Sequence, residues 1–304
     1  MRVVALAGGT GSAKLLRGLR SLPIDLTAVV NVGDNAWIYG VYVCPDVDIA
    51  TYTLAGIVDA KRGWGIEGDT FNSLGALSRL GRDTWFRLGD LDLATCLLRT
   101  EMMREGASLT LATDRIRKAL GAETPILPAT DGPVETWVST SQGKMHLQEF
   151  WVREGGKPEV NGVTYRGVRE SSPTAKVRSA IRSADRVVVC PANPVTSIGP
   201  MLALPGFQEL LAAAKGSVVA LSPMVGRAPV SGPAGKLLES TGARPDSVGV
   251  AELYSDFADA ILISGQDSSL RRPIEALGVR CALTDTMMTD RAAESRLARE
   301  LLEL

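Results

Sequence analysis

Residues 3–14 of the 304-residue chain, VVALAGGTGSAK, pass from an apolar run into a glycine-rich turn. The run Arg2–Ala7 has the length and composition of a strand that is buried on both faces of a parallel sheet. After the turn, Ser12 can cap a helix whose leucines recur at helical spacing, and Pro23 ends that helix. The apolar run Leu26–Val32 then predicts a second strand. This strand–helix–strand order is typical of the opening unit of an α/β fold.

The rest of the chain continues the α/β pattern around one long helical block. Residues 50–121 predict several helices and no central strand, so we interpret them as a helical insertion over the sheet edge. Two runs that flank Gln142-Gly143, Glu135–Ser141 and Lys144–Arg153, predict a β-hairpin. No linker or repeat divides the chain, which predicts one Rossmann-like, three-layer domain over residues 1–304 with a mainly parallel sheet. The later strands are predicted at Arg186–Cys190, Ser217–Leu221, Ala260–Ser264 and Val279–Leu283, with helices at Phe207–Ala214, Gly235–Thr241 and Asp290–Leu302.

Composition excludes several classes of function. The chain has 33 Lys and Arg against 34 Asp and Glu, and this net charge of -1 argues against electrostatic binding of long nucleic acid. The single histidine, His146, excludes a three-histidine zinc site, and the four scattered cysteines form no CxxC pair. The apolar start is too short for a signal peptide, and no stretch approaches the ~20 apolar residues of a membrane-spanning helix. We therefore expect a cytoplasmic protein without a membrane partner.

The glycine-rich turn is a candidate phosphate site. A glycine turn between a strand and a helix lets backbone amides approach a phosphate, and Lys14 would add a positive charge one helical turn further on. The turn lacks the residues of a P-loop, and Lys14 stands where a dinucleotide-binding turn has a small residue. We take Gly9, Thr10, Gly11 and Lys14 as candidate donor-phosphate ligands; a purely structural strand–helix turn is the alternative.

Three aspartates follow the second predicted strand and indicate a magnesium site. Asp34 ends that strand, and Asp46 and Asp48 stand near the start of the next helix. Oxygen ligands without histidine suit Mg²⁺, which also shares phosphate oxygens of its ligands. We predict Asp34 and Asp48 as metal ligands, one of which can serve as the catalytic base. The alternative for Asp46 and Asp48 is simple capping of a helix over Ile49–Asp59.

Two further segments suit the binding of flat and polar groups. Trp85-Phe86-Arg87 can stack on a planar ring while the arginine meets an anion or carbonyl; an ordinary packed aromatic pair is the alternative. The loop Pro191–Pro200, stiffened by prolines, follows a predicted strand and opens a helix. In this loop we predict that Asn193 pairs with a base edge, while the amides of Ser197–Gly199 bind phosphate.

Taken together, these segments resemble the 2-phospho-L-lactate transferase family, called CofD in archaea and FbiA in actinobacteria. No single segment is decisive, but their order and spacing are specific and cover nearly the whole chain. They are GGTGSAK (8–14), NVGDN (31–35), PDVDIATYTLAG (45–56), WFRLGD (85–90) with Asp92-Leu93-Ala94 and Arg99-Thr100, LPATD (127–131), QEFWVR (148–153), PANPVTSIGP (191–200) and MTD (288–290).

The resemblance implies a role in the biosynthesis of the deazaflavin coenzyme F420. It implies transfer of a phospholactyl or phosphoenolpyruvyl group from a guanosine-diphosphate-linked donor to the terminal ribityl hydroxyl of Fo, 7,8-didemethyl-8-hydroxy-5-deazariboflavin, with release of GMP. It further implies Mg²⁺ as cofactor and a homodimer. We expect Asp46, Asp48, Trp85 and Arg87 to bind Fo, and Asn193, Ser197 and Gly199 to bind the donor. No motif distinguishes the two donors, which differ in the saturation of one carbon pair.

Four positions depart from the family pattern, and they leave a second function open. Asn35 replaces an Asp, Ile49 a Thr, Leu91 an Arg or Lys, and Ala192 a Ser. Asn35 and Leu91 each remove a charge near the predicted site. The alternative is a YvcK-like regulatory protein that binds nucleotide sugars without catalysis. Such proteins share the glycine turn but carry a Gly/Ser run after the second strand, where this chain has NAWIYG at residues 35–40.

Overall fold

The computed structural model describes residues 1–230, 232 and 234–304, and it contains an α/β fold with a seven-stranded central sheet. The strands are β1 Arg2–Ala7, β2 Asp25–Val30, β3 Ala36–Ile38, β4 Val41–Val43, β5 Ile126–Pro128, β6 Glu135–Thr140, β7 Gly143–His146, β8 Val160–Arg166, β9 Arg186–Val189, β10 Ser217–Leu221, β11 Met224–Val225, β12 Ala228–Pro229, β13 Ala260–Ser264 and β14 Arg280–Thr284. The helices are α1 Gly9–Arg20, α2 Pro45–Ala55, α3 Asn72–Arg79, α4 Asp90–Arg104, α5 Leu109–Ala119, α6 Ala175–Ser183, α7 Gly199–Leu202, α8 Phe207–Ala212, α9 Ala234–Ser240, α10 Ser247–Tyr254, α11 Arg271–Glu275 and α12 Arg291–Glu303.

The central sheet is entirely parallel, and its order is β14-β13-β10-β9-β1-β2-β5. The chain builds outward from β1 through β2 to β5, then returns to add β9 on the other side of β1. Strand order therefore reverses between β1 and β9. In open α/β sheets, ligands bind outside the carboxyl ends of the strands at such a reversal. The predicted Rossmann-like core is confirmed, and its topology directs attention to the loops after β1, β2 and β9.

Strand β1 lies in the middle of the sheet, which explains its continuous apolar sequence. All of its residues except Arg2 are buried, as they are in a strand covered by helices on both faces. Helix α1 packs closely on the terminal helix α12: a Cβ on Gly18 would lie 2.2 Å from the carbonyl oxygen of Glu294. Only glycine allows the two helix backbones to approach to this distance.

The predicted helical block lies in the connection between β2 and β5. It contains α2 to α5, preceded by the short hairpin β3–β4, which the sequence analysis missed. Helix α2 begins at Pro45, because proline suits the first turn of a helix, and it ends at Ala55, where Gly56 caps it with a φ of 79°. The predicted helix over Ile49–Asp59 was therefore placed too late. Asp46 and Asp48 lie inside its first turn, and neither is its N-cap.

Two other local predictions need correction. Ser12 does not cap α1: it lies within the helix, and its hydroxyl donates to the carbonyl oxygen of Gly8 at 2.7 Å. The predicted hairpin exists, but its second strand ends at His146, and Glu149–Arg153 forms a π-helical turn instead. A third strand, β8, pairs antiparallel with β6 and was not predicted. Within the described residues, no helix combines the length and apolarity that crossing a membrane requires.

Candidate functional site

The loops after β1 and β9 and the start of α2 meet around Gly8. A Cβ on Gly8 would lie 2.7 Å from the Cβ of Ser197 and 2.8 Å from Oδ2 of Asp46, both closer than side-chain atoms pack. The Cβ of Asn31, from the loop after β2, is 3.2 Å from the same point. The glycine turn, the predicted donor loop and the predicted metal segment therefore form one site at the carboxyl edge of the sheet.

Substitution of Gly8 by alanine should force these segments apart. Overpacking of this kind costs about 1–3 kcal/mol, and we expect Gly8→Ala to lower the free energy of unfolding by that amount and to abolish ligand binding at the site. Gly75→Ala is the matched control, because a Cβ there meets only Arg79 Nη1 at 3.7 Å within helix α3. Urea unfolding measures both variants, and an unchanged stability of Gly8→Ala would contradict the close contact.

Asn31 organises two carboxylates at the centre of the site. Its fully buried amide Nδ2 lies 2.9 Å from Oδ1 of Asp34 and 2.9 Å from Oδ2 of Asp46. Its Oδ1 accepts from the amide of Gly33 at 2.9 Å, which fixes the orientation of the side chain. The backbone amide of Gly9 donates to the other oxygen of Asp46 at 2.7 Å. Asp34 and Asp46 thus flank one amide group, and the glycine turn is tied to the pair.

The two carboxylates have raised proton affinity. Burial raises the pKa of Asp34 well above its usual range, and the Asp46 charge raises it further. Burial also raises the pKa of Asp46 to about 6, although hydrogen bonds from Asn31 and Gly9 act in the opposite direction. Asp46 is buried and Asp34 half-buried, and within the described part of the chain neither forms an ion pair, so a cation that binds between them would stabilise both charges.

Asp48 is held apart from this pair by a buried arginine. Arg99, on α4, has only 1% of its side chain exposed and binds both carboxylate oxygens of Asp48. Arg99 also donates to the carbonyl oxygen of Tyr42 at 3.2 Å. Burial raises the pKa of Asp48 and Arg99 lowers it. The structure thus joins Asp34 to Asp46 directly, and it commits Asp48 to a partner that the sequence analysis had not connected with it.

Thr10 and Lys14 are exposed, whereas Gly11 packs against the loop after β9, where a Cβ would lie 2.4 Å from the carbonyl oxygen of Pro191. Gly9 has a φ of 65°, and Thr10 and Gly11 follow it in the first turn of α1. The first amides of a helix have no partner inside it and can bind an anion. The exposed Lys14 donates from Nζ to the carbonyl oxygen of Met288 at 2.9 Å. Lys14 therefore contacts the segment that precedes α12, which the resemblance had included as MTD.

Hydrogen bonds to its own atoms and to Tyr165 hold the loop after β9. Oδ1 of Asn193 accepts from the amides of Val195 and Thr196 and begins a π-helical turn over Pro194–Ile198. The Tyr165 hydroxyl donates to the carbonyl oxygen of Val195. Ser197 is buried against the glycine turn. Because the Asn193 oxygen is used within the loop, the amide NH₂ of Asn193 is the part that can face a ligand.

The predicted ring-binding segment lies in the helical block, where it is partly packed. Trp85 meets Phe86 edge to face, with ring centroids 5.6 Å apart, and Arg153 lies 5.6 Å from the Trp85 ring. Arg87 is exposed, and its guanidinium lies 4.8 Å from the ring of Phe71. The aromatic pair thus contributes to a local core, as the alternative interpretation held, while Arg87 extends toward solvent.

A glycine-containing loop links this block to the phosphate turn. A Cβ on Gly63 would lie 3.9 Å from Cγ2 of Thr10, and one on Gly65 would lie 3.9 Å from Oδ2 of Asp92. Asn31, Arg99 and Asp92 have no role predicted from the sequence, although each falls in a segment that carries the family resemblance.

Comparisons with known proteins identify the family that the chain resembles. The family model described as 2-phospho-L-lactate transferase CofD matches residues 3–293. A 2-phospho-L-lactate transferase of Methanosarcina acetivorans is 43% identical over 304 residues, covering 99% of this chain and 98% of that protein. One of Methanopyrus kandleri is also 43% identical, covering 100% and 97%. A phosphoenolpyruvate transferase of Streptomyces griseus is 39% identical over 312 residues, covering 100% and 98%.

A solved structure supports the fold independently. The crystal structure of a UPF0052 family protein from Bacillus halodurans superposes with a TM-score of 0.66 and covers 99% of both chains. Its sequence is only 19% identical to this one. At that identity, the likeness supports the Rossmann-like fold and carries no statement about chemistry.

Proposed function

This chain belongs to the 2-phospho-L-lactate transferase CofD family, and we propose from that membership that it transfers a phospholactyl or phosphoenolpyruvyl group from a guanosine-diphosphate-linked donor to Fo, releasing GMP. Relatives that carry either transferase name match the whole chain, so the proposal includes both donors. The reaction would serve biosynthesis of coenzyme F420.

The observation that carries the proposal is the Asp34–Asn31–Asp46 cluster beside the glycine turn. A diphosphate that approached the first turn of α1 would meet two carboxylates held 2.9 Å from one amide nitrogen. Negative charge on both sides requires a bridging cation. A site with this composition suits a substrate that brings phosphate and metal together, as phosphoryl transfer does.

The chemistry of these residues fits Mg²⁺. Among the described residues, no three His, Cys, Asp or Glu side chains cluster as a self-contained metal centre. Mg²⁺ commonly takes one or two carboxylates and completes its shell with waters and phosphate oxygens. We assign Asp34 and Asp46 as its protein ligands, in place of the predicted pair Asp34 and Asp48, because Arg99 occupies the Asp48 carboxylate. Bound Mg²⁺ would neutralise the charge of the diphosphate.

One set of protein groups would bind the guanylated donor, and another would bind Fo. The amides of Thr10 and Gly11, with Lys14, face the phosphates, and the Asn193 amide NH₂ can donate to the guanine carbonyl. Arg87 can stack on the planar deazaflavin or donate to its oxygens, with the Asp46–Asp48 segment on the side of the ribityl chain. This chemistry needs positioning and charge neutralisation more than a covalent nucleophile. The homodimer and the cytoplasmic location stay predictions.

Thermal shift distinguishes this proposal from the nucleotide-sugar alternative. A ligand that binds only the folded state stabilises it and so raises the melting temperature. At a ligand concentration of a hundred times Kd, the free energy of unfolding rises by about 2.7 kcal/mol. We expect a shift with Fo, and with GDP in the presence of Mg²⁺, and no shift with UDP-N-acetylglucosamine. A shift with the nucleotide sugar and none with Fo would favour the YvcK-like function instead.

Arg87→Ala should weaken Fo binding while leaving the fold intact. The guanidinium is exposed and lies over Phe71, so its loss removes a stacking or hydrogen-bonding group and no buried contact. We expect the Kd for Fo to rise about tenfold, which corresponds to about 1.4 kcal/mol. Fluorescence titration measures this, with Arg79→Ala as the control from the exposed surface of α3. Equal Fo affinity in Arg87→Ala and Arg79→Ala would remove Arg87 from the acceptor site.

A further inference from the structure

Asp92 is a buried carboxylate whose two oxygens differ in their hydrogen bonding. It lies in the first turn of α4 with 9% of its surface exposed. The hydroxyl of Tyr52 donates to Oδ1 at 2.6 Å. Within the ranges that the structure describes, no group donates to Oδ2. That oxygen faces Gly65, whose missing side chain leaves space between the loop and the carboxylate.

Two cations near Asp92 are each paired with another carboxylate: Arg99 binds Asp48, and Arg62, whose Nη2 would lie 4.0 Å from a Cβ on Gly65, binds Asp59. Tyr52 and Asp48 face it from α2, Asp69 from the loop before α3, and Arg99 from α4. Asp48 and Asp69 repel its charge, and Arg99 is bound to Asp48. Burial, followed by these carboxylates, raises the pKa of Asp92 to about 7. A buried carboxylate without a counter-ion destabilises a fold, and such groups concentrate at functional sites.

One loop lies between Asp92 and the glycine turn. A Cβ on Gly65 would lie 3.9 Å from Oδ2 of Asp92, and one on Gly63, two residues earlier, would lie 3.9 Å from Cγ2 of Thr10. Asp92 also follows Arg87 by only five residues, so the proposed acceptor contact and this carboxylate lie on one segment. Asp48, one of the two aspartates predicted as the base, has both oxygens bound to the cationic Arg99, which opposes its protonation.

We propose that Asp92 is the catalytic base that accepts the proton of the attacking Fo hydroxyl, and that Tyr52 positions it. The inference rests on the proposed transferase function. The hydroxyl oxygen forms a bond to the donor phosphorus that carries the three-carbon unit, and its proton passes to Oδ2 of Asp92. The bond from that phosphorus to the bridging oxygen breaks, and GMP leaves with the electron pair. Asp92 then returns its proton to water.

The test compares Asp92→Asn with wild type in turnover and in binding. Asparagine retains the shape and the oxygen that accepts from Tyr52, but it cannot take a proton. General-base catalysis contributes about 10²–10⁴-fold, so we expect kcat to fall at least a hundredfold while the Kd for Fo and for GDP changes less than threefold. Asp114→Asn, at a half-buried aspartate that pairs with Arg117 and Lys118 on α5, is the control.

The melting temperature of Asp92→Asn distinguishes a catalytic from a structural role, because the two roles predict changes of opposite sign. The pKa of Asp92 is raised from 3.8 in the folded protein, so ionisation opposes folding increasingly as the pH rises from about 4 to about 7. Asp92→Asn should therefore raise the melting temperature most at pH 8 and least at pH 4. A carboxylate retained for structure would give a lower melting temperature in the variant at pH 8.

Tyr52→Phe tests the positioning role. The Tyr52 hydrogen bond lowers the pKa of Asp92, so its removal should move the acid limb of the kcat profile to higher pH. Tyr254→Phe is the matched control, because the Tyr254 hydroxyl is buried and finds no hydrogen-bond partner among the residues that the structure describes.

Wild-type turnover separates the two proposals. If the wild type forms no product from Fo and either guanylated donor, the proposed transferase function is wrong. If the wild type turns over and Asp92→Asn keeps kcat within threefold, or keeps the acid limb of the pH profile, the base is another group and the inference is overturned.

Discussion

Replacing Arg99 with methionine is expected to lower the free energy of unfolding by about 3–5 kcal/mol. The guanidinium is 1% exposed and is the cation that binds Asp48, itself almost fully buried. Removing it leaves an uncompensated carboxylate between α2 and α4, together with the unpaired carbonyl of Tyr42. Urea unfolding of Arg99→Met against wild type measures the loss, since the change is a shift in midpoint at constant slope.

The double variant Arg99→Met/Asp48→Asn identifies the cause. If the single variant fails because of an unpaired buried charge, neutralising Asp48 should restore most of the lost stability. Turnover should remain low in the double variant, because Asp48 lies in the segment proposed for Fo. If Arg99→Met lowers the free energy of unfolding by less than 1 kcal/mol, the Asp48 carboxylate in that variant is hydrated or paired with another group.

Asp34→Asn is expected to reduce turnover about a thousandfold, or about 4 kcal/mol of transition-state stabilisation. Asparagine retains the size of the side chain and can still accept from Asn31, but it removes one of the two charges that favour a cation. Binding of Mn²⁺, followed by the electron paramagnetic resonance of the free ion, should weaken in parallel. The melting temperature without metal should not fall, because burial and Asp46 both disfavour the ionised Asp34.

Asp25→Asn is the control for this variant. Asp25 begins the same strand, β2, at the opposite edge of the sheet, and it is exposed. It should retain Mn²⁺ binding and turnover. Full activity of Asp34→Asn in excess chelator would contradict both the metal and its proposed ligand.

Local sequence patterns predicted the sheet well because each of its main strands is a short apolar run. Strands β1, β10 and β13 have their predicted bounds, since parallel strands buried on both faces need an uninterrupted apolar sequence. Strand β3 was missed because it is only three residues long, and β8 because polar and exposed positions interrupt its apolar run. Helix α2 was placed too late because its first turn contains two aspartates, which resemble a cap.

Site residues were predictable from the sequence where they lie in a recognisable local pattern. The glycine turn and Asp34 stand at the ends of strands, and strand ends meet at one edge of a parallel sheet. The pairing of Asp48 with Arg99 joins residues 51 positions apart, so spacing along the chain could not indicate it. The same holds for Asp92 and Tyr52, 40 positions apart. Asn31 was within reach of sequence reasoning, as a polar residue directly after an apolar strand.

The most direct measurement of the transferase function is mass detection of the product from purified protein. The protein is incubated with Fo and Mg²⁺, and separately with the guanylated phospholactate and the guanylated phosphoenolpyruvate. We expect a phosphodiester of Fo and an equal amount of GMP with at least one donor, both abolished by chelator and restored by Mg²⁺ or Mn²⁺. Absence of product with both donors, from protein whose melting temperature responds to Fo, would contradict the proposed transfer.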